Sequence, residues 1–106
     1  MKPAIGIAIA SLAWISAAAS TTGDAAAGGR AAERICSECH AVGAGAGLSP
    51  HPQAPSFQAI ANTRGKNEIA LKVWFQVPHR SMPEFVLAEQ DSEDLIAYIL
   101  SLKKTK

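Results

Sequence analysis

The chain has 106 residues, a formal net charge of +1, and 18% charged against 48% hydrophobic residues. That length holds one domain rather than two, the composition excludes a disordered polar chain, and near-neutrality weighs against nucleic-acid binding through a basic surface. The hydrophobic share overstates the core, because 21 residues are alanine and only 23 larger apolar residues or cysteines remain from Ser20 onward. A core that small seldom supplies more than a few kcal/mol, so such domains lean on a disulfide, a metal or a cofactor.

Residues 1–19 read as a secretory signal peptide. Lys2 is a minimal positive start, Ala4–Ile15 an apolar stretch of fitting length, and Ala17–Ala19 a small-residue cleavage site with Ser20 as the new N-terminus. The rival is an uncleaved anchor, since the 21 residues from Pro3 to Gly23 carry no charge. The remaining domain, residues 20–106, has 9 basic and 9 acidic side chains. Export places its two cysteines in an oxidising compartment, the bacterial periplasm, where thiols ordinarily pair.

The periodic segments are helical, and no stretch alternates as a strand would. Asp24 caps a first helix that runs through Ala31, Ala32 and Ile35 towards Cys36. Residues 41–55, with three glycines and three prolines, form a loop. Ser56 caps a short helix bearing Phe57 and Ile60. Asn67 caps a third, marked by Ile69, Val73 and Val77 one turn apart and stopped by Pro78. A second loop spans 78–87. The last helix carries Leu95, Ile99 and Leu102, with acidic residues in its first turns where the helix dipole favours them. The expected fold is a small all-α domain with two long loops.

Both cysteines fall in Cys36-Ser37-Glu38-Cys39-His40, the C-x-x-C-H attachment signature of c-type haem. Two thiols at this spacing reach the two vinyl groups on one edge of the ring, and the next residue delivers an imidazole to the iron. Three other readings compete. A thioredoxin-like redox pair needs a parallel sheet that the pattern does not offer. A zinc site needs a fourth ligand from His51 or His79, and adjacent Cys39 and His40 do not match separated ligand pairs. A Cys36–Cys39 disulfide closes too short a loop to stabilise much.

An iron held by His40 has a sixth position. Met82 is the single methionine after the leader and lies between Pro78 and Pro83, 42 residues beyond His40. A thioether there raises the reduction potential and closes the iron to outside ligands. His79 is the main rival ligand and would give a bis-histidine iron. His51, among prolines, is expected in solvent.

With these segments in hand, the chain from Asp24 to Leu102 resembles class I cytochromes c, in particular short single-haem bacterial members. The resemblance rests on Arg30–Glu33 before the haem motif, Ala54-Pro55-Ser56-Phe57, Pro78-His79 ahead of Met82-Pro83, and Asp94–Ile99. It implies one covalent haem c on Cys36 and Cys39, with His40 as proximal and Met82 as distal ligand. It also implies a hydrogen bond from His40 to the Pro55 carbonyl, a pocket lined by Phe57, Trp74 and Phe75, and a close crossing of first and last helices at Gly28 under Tyr98. Three positions depart from the family pattern: Ala32 replaces an aromatic, Ala54 a glycine, and Ala88 a capping hydroxyl. Asp91 or Ser92 would then start the last helix later, or its start is uncapped.

The resemblance implies an electron carrier of a respiratory chain rather than an enzyme. It would act as a monomer in the periplasm, docking transiently on a redox donor and acceptor, with a membrane contact only if the leader is retained. Arg64, Lys66, Lys72 and Arg80 would form a basic rim that steers an acidic partner, or simply scattered solvated charge. The alternatives are a peroxidase-like enzyme or gas sensor in which Met82 detaches beside His79 and Arg80, and a dedicated electron-accepting subunit of a dehydrogenase.

Overall fold

The computed structural model describes residues 1–13, 23–45, 47–77, 82 and 86–104. The expected cleavage site at Ala17–Ser20, and Pro78, His79, Arg80 and Pro83 of the second loop, lie outside the described residues. Four α-helices succeed one another, α1 (Ala25–Ala31), α2 (Phe57–Asn62), α3 (Glu68–Gln76) and α4 (Glu89–Ser101), and no strand occurs among the described residues. Residues 1–13 are exposed and without regular structure. Among the described residues no helix is long and apolar enough to cross a membrane.

Each of the first three helices starts where the sequence offers a cap. The Asp24 carboxylate accepts from the amides of Ala26 (2.9 Å) and Ala27 (3.2 Å), Ser56 Oγ from Ala59 (3.1 Å), and Asn67 Oδ1 from Ala70 (2.9 Å). Each bond satisfies an amide that has no partner within its own helix. α4 starts at Glu89 with Ala88 in the cap position and no side-chain acceptor. The uncapped start is therefore the outcome, and Glu89 and Asp91 in the first turn supply the dipole complement.

Two features were not expected. α1 does not continue as an α-helix to Cys36 but widens at Ala32–Cys36 into a π turn, in which Ser37 N–H donates to the Ala32 carbonyl at 3.0 Å. One extra residue in a turn rotates the downstream chain by about 100° against the α register. The stripe that marks α3 as a helix also points outward. Ile69 is 75% exposed, Val73 51% and Val77 47%, whereas Leu71 is buried and Phe75 packs against the core.

The core forms where α1 crosses α4, with α2 and α3 also packed on α4. Ala31 and Ala32 meet Leu95, Ile96 and Ile99, and Phe57, Ala61 and Leu71 close the other side. The crossing is close because Gly28 has no side chain. A Cβ there would run into the Asp94 carbonyl and approach Tyr98 Cβ at 2.7 Å. Ala32, where the resemblance sets the expectation of an aromatic, is completely buried.

Candidate haem site

The C-x-x-C-H segment is a hydrogen-bonded turn closed on one carbonyl. Cys36 O accepts from Cys39 N–H at 3.2 Å and from His40 N–H at 2.9 Å. The loop after it is held to the same turn: His51 N–H donates to Cys39 O (3.1 Å), Ala41 N–H to Ser49 Oγ (3.0 Å), and Phe57 N–H to Ala41 O (2.9 Å). The described residues of 41–55 lack helix, as their glycines and prolines require, yet they brace the site from one side.

His40 Nδ1 lies 2.6 Å from the Pro55 carbonyl oxygen. A carbonyl only accepts, so Nδ1 carries the proton and the lone pair of the neutral ring is left on Nε2. This is the tautomer a metal-binding imidazole needs, with a carbonyl partner that increases its basicity. The ring is backed by Phe57 at 5.4 Å between centroids, and Phe57 by Tyr98 at 6.4 Å. Tyr98 Oη donates to Val42 O at 2.6 Å, tying α4 to the loop just past His40. Burial, with the Glu33 charge adding to it, pushes the Tyr98 phenol above its ordinary range, so it remains a donor.

Cys36, Cys39, His40, Pro55, Phe57, Trp74, Phe75 and Met82 all line one cavity of about 680 Å³. Its walls are mostly apolar, with Ile35, Ile60, Leu71, Leu87 and Ile99 among them. The volume falls within the range of roughly 300–1,000 Å³ usual for cofactor pockets. Cys36 and Cys39 are both half-buried, and before any attachment burial pushes the Cys36 thiol up to about 11. Met82 is half-buried at the same wall. No group of three or more metal-ligating His, Cys, Asp or Glu residues occurs among the described residues.

His51 is half-buried at the cavity wall rather than solvated. Its Nδ1 accepts from Gln53 N–H at 3.1 Å, which leaves the proton of the neutral ring on Nε2. Binding a metal through Nε2 would reverse that tautomer and cost the Gln53 bond. Reading the sequence also missed Leu71, Thr63 and Lys66 as wall residues. Leu71 had a signal, four residues before Phe75 on the same helical face, but the Ile69–Val73–Val77 stripe obscured it.

Two thiols, an imidazole with Nε2 available and a thioether thus face one largely apolar cavity, and this set suits a covalently bound haem. No curated protein and no solved structure was found to match the chain. The family model for cytochrome c matches residues 25–103, from the first residue of α1 to just past α4. That match spans the whole helical domain and every residue of the cavity, so the chain belongs to the cytochrome c family, and its cofactor is covalently attached haem c.

Proposed function

We propose that this chain is an exported one-electron carrier of the bacterial periplasm, monomeric, with haem iron held between His40 and Met82. Membership of the family already gives haem-based electron transfer and transient redox partners. The observation that supports the finer reading is the His40–Pro55 bond at 2.6 Å in a cavity that Met82 also lines. The iron, cycling between ferric and ferrous states, supplies the redox chemistry when haem is bound.

The residues do the rest. Cys36 and Cys39 fix one edge of the ring through thioether bonds, and Pro55 holds the His40 ring in one tautomer and one orientation. Met82 supplies a neutral sulfur that favours the ferrous state and keeps small ligands off the iron. Phe57, Phe75 and Leu71 exclude water, which keeps reorganisation small when charge changes. Arg64, Lys66 and Lys72 offer positive charge to an acidic donor or acceptor, through the small and weak contact typical of redox encounters.

The test is an intact mass and a pair of absorbance spectra of the protein exported from a bacterium with haem-attachment machinery. The expected mass is the chain from Ser20 plus one haem. The oxidised protein should show the weak far-red band of thioether-to-ferric-iron charge transfer, and Met82→Ala should abolish it. An unchanged band in the variant removes Met82 from the site. Ready carbon monoxide binding by the reduced wild type at neutral pH would instead favour a sensor or enzyme.

A further inference from the structure

α3 is apolar over more of its circumference than its place in the fold uses. Among its nine residues only Glu68, Lys72 and Gln76 are polar, and they stand one turn apart in a single narrow stripe. A helix packed on a core needs an apolar arc of roughly 100°, and Leu71 and Phe75 supply it here. The surplus points outward. Ile69 and Val73 are exposed, Val77 continues them one turn on, and exposed Trp74 flanks them. Ile69 and Val73 do not line the cavity, so a haem bound there leaves them in solvent. Val77 and Trp74 do line it, so the exposed stripe reaches the cavity mouth. A continuous apolar patch of this kind marks a contact surface.

The chemistry of the stripe favours one occupant. Ile69, Val73 and Val77 carry no side-chain donor or acceptor, whereas protein interfaces carry a hydrogen bond every 100–200 Å² or so and seldom use Val as a hot spot. A bilayer surface asks only for an apolar helix face with cations beside it. Both are present. Arg64 and Lys66 in the turn before α3, and Lys72 on it, set three positive charges against the one negative charge of Glu68. Trp74, at the border of stripe and cavity mouth, is a residue type that settles at the level of lipid headgroups. At a length of about 13 Å, α3 is far too short to span a bilayer and suits a helix lying flat in its surface. A second copy of the chain fits less well, because it would bring the same three cations against these.

We infer that the exposed stripe of α3 docks this protein on the surface of an anionic lipid bilayer. Ile69, Val73 and Val77 enter the boundary between headgroups and acyl chains, and Arg64, Lys66 and Lys72 meet the anionic headgroups. The folded domain makes this contact, so it needs no retained leader. From the proposed function the inference takes only export. It brings the mouth of the cavity close to the bilayer surface, since Trp74 and Val77 belong to both stripe and wall.

The test is sedimentation of the exported holoprotein, its start at Ser20 checked by intact mass, at low salt. The vesicles contain phosphatidylglycerol and phosphatidylcholine in equal parts, or phosphatidylcholine alone. Wild type should pellet with the anionic vesicles only. Ile69→Gln/Val73→Gln, which alters no charge and no cavity residue, should raise the lipid concentration for half-binding about tenfold or more. Lys72→Gln should raise it about fivefold. Leu48→Gln, a neutral change at an exposed apolar residue outside α3, should bind as wild type, and every variant should keep the wild-type haem spectrum. Equal binding by the double variant and wild type overturns the inference, as does a wild type that stays in the supernatant. If the double variant binds vesicles normally but is reduced more slowly than wild type by a plant-type ferredoxin, an acidic redox protein, the stripe serves a protein partner instead. A retained leader, seen in the mass, would overturn the cleavage reading and not this one, because wild type and variants are compared in the same chain.

Discussion

Gly28 shows how much one missing side chain can decide. It lies in the first helix, yet what it permits is the approach of the last, with the Asp94 carbonyl and Tyr98 Cβ occupying the space a methyl would need. Backbone cannot yield there without moving the crossing, so Gly28→Ala should cost about 2 kcal/mol, roughly 10 °C in melting temperature for a domain this small. Gly47→Ala is the control, since nothing lies within 4 Å of a Cβ at Gly47 and its φ is not positive. Equal melting temperatures for Gly28→Ala and wild type would show that the crossing is looser than its geometry. Nothing in the periodicity of α1 singles out Gly28 over Gly29. Only its resemblance to a family position did, because the clash partner sits at the other end of the chain.

Whole elements were legible where their causes are local. Asp24, Ser56 and Asn67 each cap the helix expected of them, because a cap needs only an acceptor two or three residues ahead of an amide. The π turn was not legible, since Ala32–Cys36 has ordinary helix-forming residues, and what selects the wider turn is the need to bring Cys36 to the cavity while Ala32 stays buried. The inward face of α3 was ambiguous for a related reason. Ile69–Val73–Val77 and Leu71–Phe75 are both apolar at helical spacing, and the cavity determines which one turns in. α4 exposes a local weakness that can be repaired. Ala88 has extended cap dihedrals (φ −59°, ψ 145°), is exposed, and makes no capping bond. Ala88→Ser should raise stability by about 1 kcal/mol, read as a higher urea midpoint at unchanged slope. No gain would mean that Glu89 and Asp91 already satisfy the helix start.

At the scale of the molecule, the helices are closed into one domain by long-range polar bonds as well as by the Gly28 crossing, and none of those polar bonds had a signal in the sequence. Gln58, 8% exposed, accepts from Gly45 N–H and donates to Leu102 O, 44 residues away. Tyr98 reaches Val42 across 56 residues, and Asp94 accepts from Asp24 N–H at 2.9 Å across 70. Each pairs a polar group that would otherwise be buried without a partner, and no buried side-chain N or O atom lacks one among the described residues. The Asp94 bond carries a consequence for pH. The carboxyl is held below the ordinary carboxylate range first by the Asp24 amide, next by the Gln90 side-chain amide at 2.8 Å, and more weakly by the Arg30 charge, with burial opposing. A carboxyl whose folded-state pKa is depressed stabilises the fold fully above its unfolded-state value of about 3.9. That contribution is lost as pH falls through the lower folded-state value. Asp94→Asn keeps the shape and an acceptor for Asp24 but has no charge to titrate. Its deficit in urea midpoint against wild type should therefore be constant from pH 7 to 5 and shrink below about pH 4. A deficit that persists unchanged at pH 3 would mean that it arises from how the amide fits between the Asp24 and Gln90 donors, and not from the loss of the ionised carboxylate.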